Sequence, residues 1–233
     1  MVVALGLAVA LVAMLQGGGD DDGGSAASTS PSPSVAVDDE AARARAHTLA
    51  VAVALRPEDW GPAYKRSDPY EQDPASEYEV SKDCKGFTQA ARSGTLAAVA
   101  RSVINNQTQL IGTTDVRVFA DVATAESFMD DSQETTRRCP TQQFDKVRWA
   151  DVRQATAPDV AGLEQVTTEE GTQTADATGA KTDLPYVLHT GRQGATVVSV
   201  IAYETRANAA TLTRSSTDVL QKLQQRLGAA TQQ

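Results

Sequence analysis

The sequence predicts an α+β domain with a largely antiparallel sheet of about six or seven strands. Segments with alternating apolar residues follow one another through short, hairpin-like connections, and segments with helical spacing lie before, among and after them. The chain has 233 residues, 41% hydrophobic and 22% charged. This length suits one globular domain with short extensions and excludes a large multidomain enzyme.

The first segment, residues 1–16, is predicted to be a membrane anchor, possibly truncated, or a signal segment. Met1 to Leu15 are apolar apart from Gly6, and no ionisable side chain occurs before Asp20. A helix of this length covers roughly 22 Å, less than the ~30 Å hydrocarbon core. A signal peptide would require a basic residue near its start, but none precedes Arg43. Met1 could therefore be an internal start. A buried N-terminal helix of a soluble protein is disfavoured, because no polar residue marks a solvent face.

The acidic flank after this segment predicts which side of the membrane the domain occupies. Gly17–Asp22 carries only negative charge, and such a flank belongs on the outer side under the positive-inside rule. We therefore expect a single-pass protein of the cell membrane with an extracytoplasmic C-terminal domain. Residues 17–37, rich in Gly, Asp, Ser and Pro, are predicted to be a disordered stalk.

The formal net charge of -9 argues against non-specific binding to nucleic acid or to an anionic membrane surface. Six of the 30 acidic residues precede Arg43, whereas all 21 basic residues lie from Arg43 onwards. Residues 41–233 therefore hold 24 acidic and 21 basic residues, a net charge of -3. The predicted domain is closer to neutral than the whole chain.

The globular domain is predicted to span residues 38–228, with a tail at 229–233. Helices are expected at about 38–55, 123–138 and 206–227. A loop with Trp60, Tyr64 and Tyr70 follows the first helix, and Gly171–Asp183 is interpreted as a mobile loop. The predicted strands are Glu77–Val80, Ala97–Asn105, Leu110–Ala120, Lys146–Gln154, Leu163–Gly171, Pro185–Gly191 and Ala195–Tyr203.

Cys84 and Cys139 are the two cysteines of the chain. In a domain expected outside the membrane, such an even pair is interpreted as a disulfide. Two reduced, buried thiols are the alternative. A catalytic cysteine is disfavoured, because it would need a histidine partner and no motif links either cysteine to His47 or His189.

The order of several short motifs resembles a known family. The first helix leads into Ala54–Gly61, Cys84 lies in Asp-Cys-Lys-Gly, Val116–Asp121 precedes the middle helix, and Cys139-Pro140 follows it. Together with the amphipathic C-terminal helix, this order is similar to the PknH-like extracellular sensor domains of actinobacterial receptor Ser/Thr kinases and their kinase-free relatives. The resemblance covers about residues 41–228. It implies a curved sheet with helices packed on one face and a cleft on the other, and many members carry a second disulfide that this chain lacks.

Aromatic and amphipathic side chains are the candidate ligand-binding residues, because aromatic faces on a concave sheet can stack on sugar rings or line an apolar groove. For the two tryptophans among them, core packing is the favoured alternative. Tyr186 and His189 should point to opposite faces of a regular strand. Three arginines, Arg117, Arg148 and Arg153, could pair with an anionic ligand. The candidate set is Trp60, Tyr64, Tyr78, Trp149, Tyr186 and His189.

Catalytic motifs are missing from the sequence: it contains no Gly-x-Ser-x-Gly elbow and no His-x-x-x-His pair. The adjacent carboxylates Asp130-Asp131 and Glu169-Glu170 should point apart and face solvent. We therefore expect a sensor or ligand-binding domain that is not an enzyme and has no metal or cofactor. Its expected partners are the membrane, through the N-terminal helix, and an unknown small cell-envelope ligand or a protein, with no nucleic acid. A carrier of lipid or other apolar cargo and a cell-envelope hydrolase are the alternatives.

Overall fold

The computed structural model describes residues 33–145, 147–176, 181–204 and 209–232. The helices are α1 (Pro33–Val53), α2 (Pro57–Trp60), α3 (Val122–Arg138) and α4 (Ala209–Thr231). The strands are β1 (Lys65–Gln72), β2 (Glu77–Val80), β3 (Gly86–Gln89), β4 (Thr95–Asn105), β5 (Leu110–Phe119), β6 (Thr141–Phe144), β7 (Val147–Gln154), β8 (Gln165–Asp176), β9 (Lys181–Gln193) and β10 (Thr196–Glu204).

The predicted N-terminal anchor, residues 1–16, lies outside the described residues, as does most of the predicted stalk. Helix α1 begins at Pro33, so residues 33–37 are helical where a stalk was expected. Within the described ranges, no helix is both long and apolar enough to cross a bilayer.

In the part of the chain that the structure describes, eight strands form one open sheet in the order β1-β4-β5-β10-β9-β8-β7-β6, and all of its pairings are antiparallel. Strands β2 and β3 form a separate hairpin. The predicted α+β class and antiparallel sheet are confirmed, and the sheet is larger than expected. Strands β1, β3 and β6 were not predicted, because their sequences show no apolar alternation. These sequences are Lys-Arg-Ser-Asp-Pro-Tyr-Glu-Gln, Gly-Phe-Thr-Gln and Thr-Gln-Gln-Phe.

One face of the sheet packs against α1 and α4. Strand β10 directs Val198, Val200 and Ala202 into this core, and all three are fully buried. Helix α4 faces them with a stripe at helical spacing, as predicted, although Ala210 at its start is exposed. The buried members of the stripe are Leu212, Val219, Leu220, Leu223 and Leu227.

Helix α3 packs on the opposite face. Its Ala125 and Met129 contact Val197 of β10 and Phe119 of β5. Because Val197 and Val198 are neighbours on a strand, their side chains point to opposite faces. The chain thus departs from a one-sided arrangement of helices, and α3 covers part of the face expected to hold the cleft.

The interpretation of Gly171–Asp183 as a mobile loop is wrong for most of its length. Residues 171–176 belong to β8 and residues 181–183 to β9, paired from Gly171↔Tyr186 to Asp176↔Lys181. Residues 177–180 lie outside the described ranges. The loop interpretation relied on the abundance of Thr, Gly and Gln, but long ladder pairing overrides composition here.

The predicted disulfide is confirmed: Cys84 and Cys139 are bonded, with their Cα atoms 5.5 Å apart. Cys84 lies in the turn of the β2–β3 hairpin, and Cys139 directly follows α3. The bond therefore ties the small hairpin to the end of the helix on the second face.

Replacing both cysteines by serine should destabilise the domain. In the chain-entropy model, opening a loop of this length costs roughly 4 kcal/mol, with smaller losses common in practice. Urea unfolding of wild type and of the Cys84→Ser/Cys139→Ser variant, each with and without reductant, measures the loss. Reductant should lower only the wild-type stability, and equal stability of all four samples would contradict this role of the disulfide.

Candidate functional site

The structure divides the six predicted ligand residues between the two faces of the sheet. Trp60 and Tyr64 lie on the face covered by α1 and α4, with ring centroids 5.6 Å apart. The Trp60 ring lies directly on Gly112, where a side chain would collide with it. This is the packing role that the sequence analysis favoured for Trp60. Neither residue lines the cleft described below.

Tyr78, Trp149 and Tyr186 come together on the face that carries α3. Trp149 packs edge-on against Tyr186, with centroids 4.8 Å apart, and Tyr78 lies 6.2 Å from Trp149. Two aromatic residues that the sequence analysis missed complete the cluster: Tyr203, 5.9 Å from Tyr186, and Phe144, 5.7 Å from Tyr78. Tyr203 could have been found, because it is the cross-strand partner of Tyr186 in the predicted hairpin.

This aromatic cluster is mostly a packed core. Trp149, Tyr186 and Tyr203 are 9%, 1% and 3% exposed, whereas Tyr78 is 37% exposed. Burial raises the pKa of the Tyr78 hydroxyl to about 12. The rings of the three buried members therefore offer no open stacking platform, and solvent reaches Tyr78 and the partly exposed Phe144.

The prediction that Glu169 and Glu170 point apart is correct, but the prediction that both are solvated is wrong for Glu169. Its Oε1 accepts a hydrogen bond from the Tyr186 hydroxyl at 2.7 Å, and its Oε2 accepts one from Thr136 Oγ1 of α3 at 2.5 Å. Burial raises the pKa of the Glu169 carboxyl group, against the opposing effect of these two donors. Burial, followed by the nearby carboxylate, also raises the pKa of Tyr186. Sequence spacing alone could not show that a helix covers this part of β8.

A buried ion-pair network holds the β2–β3 hairpin, and with it Tyr78, against the sheet. Glu77 is 2% exposed and binds Arg92 at 2.7 Å, with Arg117 at 3.7 Å. Arg117 also binds Asp115 at 2.9 Å. Arg117, a candidate for anion binding, is therefore already neutralised by carboxylates inside the protein.

A cleft of about 480 Å³ lies beside the aromatic cluster, bordered by β7, β8, β9 and the first turns of α4. Its apolar lining includes Val152, Val187 and Leu212. Arg153 and Glu170 form an ion pair at its edge, 2.8 Å apart, with 60% of the Arg153 side chain exposed. An apolar wall beside an accessible charged pair suits a small ligand with both apolar and polar groups.

The cleft has a local structural cause in β7. The pairing of β7 with β8 shifts register between Ala150 and Arg153, and Asp151 takes a positive φ of 55° within that shift. A bulge of this kind redirects the side chains that follow it. It brings Val152 and Arg153 to the cleft, whereas Arg148, before the bulge, is exposed and does not line it.

His189 lies on the opposite side of the sheet from Tyr186, as strand alternation predicts. It is fully buried beneath α4, with Nδ1 2.8 Å from Thr168 Oγ1 and Nε2 3.3 Å from Thr217 Oγ1. Burial lowers the pKa of its imidazole to about 4. His189 is therefore a neutral core residue, and the structure does not bring it to the cleft.

Possible metal ligands do not cluster: no group of three or more His, Cys, Asp or Glu side chains with suitable spacing occurs in the part of the chain that the structure describes. No cofactor-binding arrangement was predicted, and the candidate site is a cleft of apolar and charged side chains.

The similarity to known proteins is structural. No protein-family model and no curated protein sequence matches the chain. The fold is similar to that of the extracellular domain of PknH from Mycobacterium tuberculosis, with a TM-score of 0.50 and 15% identity, covering 77% of this chain and 97% of that domain. A second match is an uncharacterized protein (Rv0999 ortholog) from Mycobacterium smegmatis, with a TM-score of 0.43, 10% identity and coverage of 78% and 97%.

The comparison with the PknH extracellular domain confirms the fold that the motif order implied. At this level of identity, the two chains share a fold, and the similarity does not extend to particular ligand residues.

The buried, neutral His189 should make the domain less stable in acid. In the unfolded chain, the histidine has a pKa near 6.5, whereas in the folded chain the pKa of His189 is about 4. Between these two pH values the unfolded chain binds a proton that the folded chain does not bind, so the free energy of unfolding falls. Relative to a His189→Gln variant, wild type should lose about 3 kcal/mol of unfolding free energy between pH 7.5 and pH 4. Urea unfolding at both pH values measures this, and identical pH dependence in the two proteins would show that His189 is accessible to protons when folded.

Proposed function

We propose that this chain is a membrane-anchored extracytoplasmic sensor domain that binds a small cell-envelope ligand in the cleft between β7, β8, β9 and α4, without catalytic activity. The observation that carries the proposal is the cleft itself. Its volume of about 480 Å³ lies within the range of roughly 300–1,000 Å³ typical of small-molecule sites.

The lining of the cleft supports binding of an amphipathic molecule. Val152, Val187 and Leu212 offer apolar surface, while the Arg153–Glu170 pair offers a donor and an acceptor at the edge. An exposed ion pair of this kind is weakly stabilising, so a ligand group can replace one partner at little cost. The cleft can therefore match a polar group of a ligand as well as its apolar part.

Two further observations support an extracytoplasmic location. The fold is similar to the extracellular domain of a protein named PknH. The disulfide between Cys84 and Cys139 is a bond typical of oxidising compartments. The apolar segment at residues 1–16 remains the proposed anchor, because its composition suits a bilayer and its acidic flank suits the outer side.

The two alternative functions have less support. A carrier of apolar cargo needs an enclosed apolar cavity, and this cleft is open and bordered by Arg153 and Glu170. A hydrolase would be favoured by a His189–carboxylate–hydroxyl cluster in the cleft. His189 instead contacts the hydroxyl groups of Thr168 and Thr217 beneath α4.

Binding in the cleft can be tested by a thermal-shift screen of cell-envelope fragments, since a ligand that binds only the folded state raises the melting temperature. For any fragment that does so, Arg153→Gln should weaken binding by about tenfold, because it removes a charged donor at the cleft edge. Arg148→Gln is the matched control: it removes an exposed arginine from the same strand, outside the cleft. The Arg148→Gln variant should bind the fragment as tightly as wild type does.

Two outcomes would overturn the proposal. Equal loss of affinity in both arginine variants would point to a general charge effect instead of a cleft site. A shift of the melting curve by a partner protein, with none by any envelope fragment, would favour a protein-interaction domain.

A further inference from the structure

A second, smaller cavity lies on the face of the sheet that carries α3, between this helix and strands β8 and β9. Its volume is about 130 Å³. Glu169 and Thr136 line it, together with Ser132, Gln154, Leu188 and Thr190. It does not include Arg153 or Glu170, so it is separate from the ligand cleft proposed above.

The charge of Glu169 is not balanced by a basic side chain. Its two carboxylate oxygens accept hydrogen bonds from the hydroxyl groups of Tyr186 and Thr136. Among the residues that the structure describes, no Lys, Arg or His forms an ion pair with it. A carboxylate that is partly withdrawn from water without a cation is costly, and a cation at this position would lower that cost.

The walls of the cavity suit a cation that carries N–H donors and a short carbon chain. The lining also holds the side chains of Ser132, Thr190 and Gln154, whose hydroxyl or amide oxygens can accept hydrogen bonds, and that of Leu188, which supplies an apolar surface. A primary ammonium group can donate three hydrogen bonds, which such a set of acceptors can receive.

The size and access of the cavity limit the ligand. A cavity of about 150 Å³ holds a molecule as large as benzene, so 130 Å³ admits only a few non-hydrogen atoms. Gln154 and Ala157, which are exposed, form part of the lining and provide a route from solvent.

We propose that this cavity is a binding site for a small primary ammonium ion, held by the Glu169 carboxylate between α3 and β8. The hydroxyl groups of Tyr186 and Thr136 orient the carboxylate, and the short alkyl part of the ligand lies against Leu188. The cavity shares no lining residue with the ligand cleft, and the proposal does not rest on the sensor function.

Ethylammonium chloride is a suitable probe, titrated into the full chain and followed by amide chemical shifts in two-dimensional NMR. Saturable shifts are expected at residues 132–136 of α3 and 167–169 of β8. Ethanol, the neutral analogue, and sodium chloride at equal ionic strength should leave these amides unchanged. Tetramethylammonium, which has no N–H donor, should also fail to bind.

Two variants distinguish the cavity from surface charge. Glu169→Gln keeps the shape and an acceptor oxygen but removes the charge, and it should weaken ethylammonium binding by about tenfold or more. Glu134→Gln removes an exposed carboxylate from the same helix, outside the cavity, and should leave the affinity unchanged. Both variants must first show a dispersed, folded spectrum.

The proposal is overturned if the same amides respond equally to sodium or tetramethylammonium, if Glu169→Gln binds as well as wild type, or if no saturable shifts appear. If the Glu169→Gln variant does not fold, the proposal is tested on the wild-type chain alone, by comparing the shifts caused by ethylammonium with those caused by ethanol and by tetramethylammonium. None of these results depends on whether a cell-envelope fragment binds the larger cleft.

Discussion

Strand alternation in the β9–β10 hairpin is the constraint on which the rest of the structure depends. Val187 faces Ala202 across the hairpin and points to α1 and α4, while the next pair, Tyr186 and Tyr203, points to the other face. A slip of one residue would exchange these two sets and leave both cores unfilled. The helical core, the aromatic cluster and the separation of His189 from Tyr186 all follow from this register.

The second face is organised by elements that are distant in the sequence. The β2–β3 hairpin carries Tyr78 to the aromatic cluster, and it is held there covalently by Cys84–Cys139 and electrostatically by Glu77 with Arg92 and with Arg117 of β5. Removing either partner of such a buried ion pair leaves an uncompensated charge, which is strongly destabilising. The hairpin is therefore a fixed part of the domain, although its own four-residue strands could not be stable alone.

The sequence predicted the elements with strong periodicity and missed those whose structure is determined by their neighbours. Strand β2 was predicted at its observed bounds, and α3, β5 and β10 were predicted to within a residue or two. Strand β1 was missed, because it is a polar edge strand with a proline. At the candidate site, strand parity separated Tyr186 from His189 correctly. It could not reveal that α3 covers Glu169 or that a bulge at Asp151 opens the cleft, since both depend on tertiary packing.

The proposed sensor function requires that the domain folds in an oxidising space outside the membrane, where a ligand of the cell envelope would reach it. The most direct measurement is the thiol state of the full chain in the intact cells that produce it, by alkylation with a membrane-impermeant reagent followed by mass spectrometry. The account predicts that Cys84 and Cys139 resist alkylation until a reductant is added, and that an external protease then releases fragments of the domain. Free thiols in a protein recovered from the cytosol would contradict it.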